Sequence, residues 1–347
     1  MKILFGVFDW GLGHATRDLP LISELIKKND VDIISTGRAL ALLKNRFGKK
    51  CRYFDVQSVY PPYPKSSLFV LRFSISIPRM LSDLKKARKI SEKIIAKGYD
   101  VVISDCRYDV YDKPENSFLI NHQLKFKSPI FEFMAENFLA SVMSKYGTVI
   151  VPDFPGRELT GELSQNPKFK GRVEYAGILS QLKKNKKKED IDYFFSISGP
   201  EPQRTIFEKK ILEQIKDLGG KIVIAGGNPD IKQDSQKKNI KFYSFLESKE
   251  QEKMMNRAKF IVTRSGYTTI LELAELEKKK VLLVPTPGMT EQEYIADLYE
   301  QEGFWHHIHQ DKLDLRKDIK KAMGFSGFKP KWKTKESVKK IMKIISS

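Results

Sequence analysis

Residues 11–17 read Gly-Leu-Gly-His-Ala-Thr-Arg and follow directly on the apolar run of residues 2–8. Glycines at such a junction let the backbone turn sharply and let a ligand approach the peptide groups. The helix that follows would present its N-terminal N–H groups and positive dipole end to that ligand. His14 in this turn suits a general base, because imidazole titrates near neutral pH. An incidental histidine on a surface turn is the plainer reading of the same residue. Gly11, Gly13 and Arg17 would line the same place. A dinucleotide fingerprint requires a third glycine where Thr16 stands, which speaks against a nicotinamide cofactor. Two further strand ends carry titratable groups, Ser104-Asp105-Cys106 and Ile120-Asn121-His122-Gln123. Asp105 and His122 fit the binding of substrate hydroxyls, or the base role in place of His14. They fit equally a turn cap and a hydrogen-bonded structural histidine.

The second half repeats the arrangement. In residues 263–272 (TRSGYTTILE) a strand ends at Thr263, Ser265-Gly266 makes a tight turn and a helix begins near Thr268. A helix N-terminus at such a turn suits a diphosphate. Arg264 either adds a positive charge there or faces solvent. Glu272, in the first turns of the helix, suits both hydroxyls of a ribose, or is the solvent-facing glutamate of an ordinary amphipathic helix. Residues 196–200 (SISGP) close another strand, where Ser198 and Gly199 offer hydroxyl and amide donors to a phosphate. Residues 284–288 (VPTPG) form a stiff turn before Thr290, a natural N-cap. Gln292 and Glu293 then fall in the first turn of the next helix, with amide and carboxylate groups suited to sugar hydroxyls. Each motif is weak alone; their shared position at strand-to-helix turns gives them weight.

The elements that must hold these residues follow from hydrophobic period. Strands are predicted over residues 2–8, 32–35, 53–56, 100–104, 118–121, 148–151 and 173–175, with helices after residue 13 and over 39–47 and 79–97. After a lysine-rich stretch (QLKKNKKKE, 181–189) strands recur at 193–198, 221–225, 260–263 and 281–284, with helices from 203 and over 251–257, 268–276 and 291–300. Alternation of this kind predicts parallel sheets covered by helices on both faces, with ligands outside the carboxyl ends of the strands. We divide the chain into a first domain over residues 1–180, a solvated linker over 181–190, a second domain over 191–328 and a terminal helix over 329–347. That last segment carries seven lysines and one glutamate, with Val338, Ile341, Met342 and Ile345 at helical spacing, and reads as an amphipathic helix packing back on the first domain.

At 347 residues the chain exceeds one ordinary core, and 41% hydrophobic content excludes global disorder. Its longest apolar stretch is too short to span a bilayer. The start reads straight into Asp9 and the glycine-rich turn, unlike a secretory signal. Cys51 and Cys106 alone make neither a disulfide framework nor a zinc site, which points to a reducing, cytoplasmic setting. The net charge is +19, spread as +9 over residues 1–180 (28 basic, 19 acidic) and +10 over the rest (34 and 24). That excludes one detachable basic tail and leaves phosphates, polyanions, an anionic membrane or merely solvated lysines as its meaning.

Taken together, TRSGYTTILEL followed by VLLVPTPGMTEQEY, SISGPEPQRTIFE, INHQ and the loop ending in His14 resemble the GT-B glycosyltransferases. They are most similar to the branch holding the MurG-type UDP-GlcNAc transferases and their MurG-like archaeal and bacterial relatives. The resemblance implies an α/β GT-B fold, two Rossmann-like doubly wound parallel-sheet domains facing a cleft. It implies inverting transfer from a UDP-sugar, such as an N-acetylhexosamine, to a hydroxyl acceptor on a lipid-linked molecule or a glycan, with no cofactor and no obligatory metal. By position, Glu272 would hold the uridine ribose, Ser265-Gly266 and Ser198-Gly199 the diphosphate, and Gln292 with Glu293 the sugar. His14 would serve near the acceptor, with Asp105 as second choice for the base. The chain departs from the pattern in its shortened loop, Gly11 to His14, and in Glu293 where the family's pair has a glutamine. Lys125, Lys127, Arg72 and Arg79 near Phe69, Phe73 and Phe126 form a basic-apolar rim suited to the inner face of a membrane; a core helix with solvated lysines is the bland alternative. A non-hydrolysing UDP-GlcNAc 2-epimerase on the same fold and a non-enzymatic polyanion binder are the competing readings. No nucleic-acid module is visible.

Overall fold

The computed structural model describes residues 1–60, 69–125, 132–186, 188–230 and 234–346, the side chains of residues 69–77 excepted. Its strands and helices run β1 Lys2–Val7, α1 Gly13–Leu25, β2 Asp30–Ser35, α2 Gly37–Phe47, β3 Cys51–Asp55, α3 Phe69–Ile95, β4 Val101–Asp105, β5 Ser117–Ile120, α4 Glu132–Met143, β6 Thr148–Val151 and β7 Arg172–Tyr175. There follow β8 Ile191–Ser196, α5 Gln203–Gln214, β9 Ile222–Ala225, β10 Ser235–Lys237, β11 Ile240–Tyr243, α6 Ser248–Arg257, β12 Ala258–Thr263, α7 Tyr267–Leu276, β13 Val281–Leu283, α8 Thr290–Gln301, β14 His306–His307, α9 Leu315–Ala322 and α10 Thr334–Ser346. The chain divides into two compact units, Met1–Gln181 with Trp332–Ser347, and Leu182–Lys331.

Each unit is built on one seven-stranded sheet. The first runs β3-β2-β1-β4-β5-β6-β7 and is parallel throughout. Strand side chains alternate between its faces. Ile3, Phe5 and Val7 accordingly pack with Leu21 and Ile22 of α1, while Leu4 packs with Ile34, Val102 and Ile95 on the other side. Both faces are covered, which is why these strands read as unbroken apolar runs. Strand order reverses direction between β1 and β4, so their carboxyl ends open a crevice between diverging connections. The paired register sets Val7 against Asp105 there.

The helix α10 belongs to this first unit: Val338, Ile341, Ile344 and Ile345 join the core formed with α1 and α2. Its approach is fastened by Trp332, whose indole donates to the carbonyl of Ala176 at 3.0 Å and meets Phe154 edge-on at 4.8 Å. Gly177 makes this possible. Its φ is +88°, and a Cβ there would sit 2.1 Å from the Trp332 ring nitrogen.

The second sheet runs β10-β11-β9-β8-β12-β13-β14, with only the β10–β11 pair antiparallel. Its switch point lies between β8 and β12, where Thr263 stands opposite Ser196. Sequence period passed over α4, β10, β11, β14 and α9. The strands are two to four residues long, and α4 is apolar on most sides, so neither carries a clear period. The start of α3 also lies ten residues before the expected one.

The lysine-rich stretch expected as a solvated linker does expose Lys183, Lys184, Lys186 and Lys188. Among its described residues it forms no helix or strand, yet its backbone is tied to the second unit. Lys183 and Asn185 donate their N–H groups to Glu252 and Asn256, each at 2.9 Å, and Lys184 pairs with Glu277. No helix among the described residues is long and apolar enough to cross a membrane.

Candidate active site

In the first unit, β1 delivers the chain to the switch point and Gly11, at φ +73°, turns it into α1. The space around Gly11 is open: a Cβ there would meet nothing within 4 Å. Gly13 begins α1, so His14 lies in the first turn and Arg17 follows one turn later on the same face. From the neighbouring strand, Asp105 ends β4, and Cys106 in the left-handed region (φ 54°) leads the chain away.

These residues meet. The Arg17 Nε donates to Asp105 Oδ2 at 3.0 Å, and its Nη2 donates to Asp105 Oδ1, a fork against the carboxylate. Arg17 Nη1 reaches His122 Nδ1 at 3.2 Å. A guanidinium only donates, so His122 accepts through Nδ1. His14 Nδ1 lies 3.0 Å from Asp105 Oδ2 and 3.0 Å from Arg17 Nη2. The bond to the ionised carboxylate is the stronger of the two, which puts the proton on Nδ1 and leaves the Nε2 lone pair free. Asp105 and Arg17 are buried, whereas the His14 side chain keeps 16% exposure, enough to meet a substrate. The Phe8 ring abuts the imidazole edge-on at 5.2 Å.

The electrostatics separate the roles of His14 and Asp105. Burial by itself would raise the Asp105 pKa, but the Arg17 guanidinium and His14 overturn this and hold the carboxyl far below the usual range. A carboxylate so stabilised is a poor proton acceptor. This speaks against Asp105 as the alternative base; its carboxylate instead holds the Nδ1 of His14. His14, Asp105 and Cys106 place ligand atoms within 4.8 Å of one another, a grouping of the kind that holds metals. Arg17 already occupies the carboxylate with a full positive charge, and burial pushes the Cys106 thiol up rather than toward thiolate. This donor set does not fit a divalent ion.

In the second unit, Ser198 and Gly199 follow β8 and Arg264, Ser265 and Gly266 follow β12, side by side at the switch point. Gly199 adopts φ +120° and lies against Arg264 and Thr286. Arg264 is fully buried and spends its donors on neutral acceptors. These are the carbonyls of Ser198, Gln203, Val284 and Pro285 and the side chain of Gln310. Burial alone drives its pKa down to about 9. Burial removes the solvent-facing expectation for Arg264. It is a buried tie that fixes the loops after β8 and β13 to the start of α5, not a side chain presented to water.

The Ser265 hydroxyl is likewise turned inward, donating to the Gln292 carbonyl at 2.8 Å. Gln292 Oε1 accepts from the Thr286 N–H at 2.9 Å, and Glu293 Oε1 from the Gly288 N–H at 3.0 Å. Through these oxygens both side chains brace the 284–288 turn. Glu272 is 6% exposed, which removes the solvent-facing alternative. Sequence reasoning passed over Gln310 and Asp18. Asp18 had one signal, an acidic residue at an inward position of α1 beside Arg17.

Of the expected basic-apolar rim, Phe126 and Lys127 lie outside the described residues, as do the side chains of Phe69, Arg72 and Phe73. The two described cations are paired: Lys125 with Glu132 at 2.7 Å and Arg79 with Asp83 at 3.9 Å.

Comparison with known proteins matches residues 1–109 to the family described as Glycosyl transferase family 1, and residues 202–345 to the Glycosyltransferase family 28 C-terminal domain. An uncharacterized glycosyltransferase of Methanosarcina acetivorans is 24% identical over 333 residues, 88% of this chain and 84% of the relative. The UDP-N-acetylglucosamine--N-acetylmuramyl-(pentapeptide) pyrophosphoryl-undecaprenol N-acetylglucosamine transferase of Clostridium perfringens is 26% identical over 329 residues, 89% of this chain and 86% of the relative. The fold is shared with the calicheamicin glycosyltransferase CalG4 (TM-score 0.63, 14% identity, 100% of this chain and 94% of that one) and with Acinetobacter baumannii MurG (TM-score 0.60, 10% identity, 99% of each). Glycosyltransferase families match at both ends, and relatives of that activity align along almost nine-tenths of the sequence. The chain is accordingly a glycosyltransferase of the GT-B fold, similar over almost nine-tenths of its length to a MurG-type transferase.

Proposed function

We propose that this enzyme moves a sugar, an N-acetylhexosamine in our reading, from a UDP-sugar to a hydroxyl acceptor with inversion and without an obligatory metal. The carrying observation is the imidazole of His14, its Nδ1 held by a buried carboxylate and its Nε2 free. His14 Nε2 takes the proton of the acceptor hydroxyl as its oxygen bonds to the anomeric carbon. The bond from that carbon to the diphosphate oxygen breaks on the opposite face, and UDP leaves with the electron pair. Asp105 compensates the imidazolium that forms. We assign the acceptor to the first unit and the donor to the second. There the N–H groups at the start of α7 and the Ser198-Gly199 loop would take up charge developing on the leaving diphosphate. The buried Arg264 lends a fixed positive charge behind that loop. Glu272 we assign to the ribose.

The choice of UDP and of an N-acetylhexosamine is supported by the Clostridium perfringens relative, whose name carries both. That name also supports a lipid-linked acceptor, with a glycan as the second reading; work at the inner face of a membrane is our own further reading. A groove of about 430 Å³ between α3 and α4 adds physical support. Tyr108, Tyr111 and Phe138 line it beside Lys85, Lys89 and Lys145, and Phe133 and Met134 of α4 stand exposed nearby in sequence. Basic and apolar groups together suit an anionic lipid surface. We expect no nucleic-acid partner.

A thermal-shift screen of nucleotides and nucleotide sugars identifies the donor, since a ligand of the folded state raises the melting temperature. In transfer assays His14→Ala should lower kcat by roughly 10²–10⁴-fold while UDP affinity stays within about twofold. Equal loss of transfer and UDP binding would refute the assignment. UDP-GlcNAc alone should remain unchanged; formation of UDP-ManNAc without acceptor would establish the epimerase instead.

A further inference from the structure

Asp18 follows Arg17 on α1 and is completely buried, and neither carboxyl oxygen has a hydrogen-bond partner among the described residues. An ionised carboxylate in that position would have neither solvent nor a donor to stabilise it. Its surroundings add to the pressure. Burial raises its pKa well above the carboxylate range. The Asp105 carboxylate raises it further by its charge, and Arg17 opposes. The helices α2 and α10, which also pack on α1, meet it through apolar side chains such as Leu43 and Ile341. The charged and titratable groups of the cluster are therefore Arg17 from α1, Asp105 with Cys106 at the end of β4, His14 beyond Asp105 and His122 accepting from Arg17.

One guanidinium faces this cluster, and Asp105 already takes its fork. A second negative charge would leave the cluster with an uncompensated anion and would hold a proton on His14. That proton would occupy the lone pair needed to accept one from a substrate. We propose that Asp18 is a positioning residue of the His14–Asp105 pair: a neutral carboxylic acid in the resting protein, it leaves Asp105 as the single negative charge between Arg17 and His14. The proposal rests on the reading of His14 as base. It assigns Asp18 the task of keeping that base unprotonated before the acceptor arrives.

The test is infrared difference spectroscopy on the whole chain at neutral pH, wild type minus Asp18→Asn. It should show the carbonyl stretch of one protonated carboxylic acid, moving to lower frequency in D2O. The neutral amide copies the neutral acid, so the acid limb of the kcat/KM profile should keep its midpoint. Absence of the band overturns the proposal, as does an acid limb displaced by about one pH unit or more in Asp18→Asn. Should that variant not fold, carboxyl-¹³C aspartate NMR of the wild type gives the same reading: one aspartate at the protonated shift at neutral pH, or none. The band needs no turnover. Its absence beside a large loss in His14→Ala sinks this proposal and leaves the base in place; its presence beside an active His14→Ala does the reverse.

Discussion

Replacing Asp105 by Asn tests the catalytic cluster most directly. The amide keeps the shape of the side chain and removes its charge. Asp105 accepts from Arg17 Nε and Nη2 and from His14 Nδ1, so three charge-assisted contacts weaken at once. Arg17, 1% exposed, is then a buried cation with no carboxylate opposite its fork. Breaking such a pair from one side costs about 3–5 kcal/mol, or roughly 6–20 °C in the melting temperature of a unit this size. The imidazole loses its orientation and its counter-charge, which predicts a fall in kcat of roughly 10³–10⁴-fold. The pH dependence has a definite sign. Asp105 has a folded pKa below its unfolded one, so its contribution to stability is present at neutral pH and is lost as pH falls below about 4. Asp105→Asn should lack that part of the acid decline. The assays are calorimetry across pH and single-turnover transfer. A companion variant, Arg17→Met with Asp105→Leu, should recover most of the lost stability and none of the activity, because it removes the unpaired charge along with the pair. If Asp105→Asn melts within about 2 °C of wild type and transfers within tenfold of it, the cluster does not do what its geometry indicates.

Two other perturbations address the frame and the surface. Gly177→Ala puts a Cβ into the Trp332 indole at a backbone angle that L-residues rarely adopt, so the first unit should lose at least about 1–3 kcal/mol; unchanged thermal unfolding would refute the role given to that contact. Phe133→Ser with Met134→Ser should reduce co-sedimentation with anionic vesicles several-fold at low salt and leave transfer to a soluble acceptor intact, and equal sedimentation of both proteins would remove α4 from the membrane reading.

The gross architecture was legible because it is written in local periods. Apolar runs of β1, β4 and β12, punctuated by glycine and proline turns, locate strands and the turns that follow them. Residues 148–151 were bounded as found, and α5, α7 and α8 begin within one residue of expectation. Short pieces escaped for the same reason: β14 has two residues, and a period needs several.

The sequence alone thus decided which turns carry chemistry, because a strand, a glycine-bearing turn and a helix start are all specified by neighbours in the chain. Only the folded molecule decided what each side chain does there. Asp105 lies 91 positions from His14 and 88 from Arg17, and they meet through the β1–β4 register, which no local pattern encodes. That meeting sets the Asp105 carboxylate against Arg17 and His14. Long-range partners likewise engage Arg264, whose five acceptors come from four separate segments, and the lysine-rich stretch, held by α6. A side chain's charge and reach belong to its residue type; whether they face a substrate or are consumed by the fold depends on neighbours that only tertiary packing supplies.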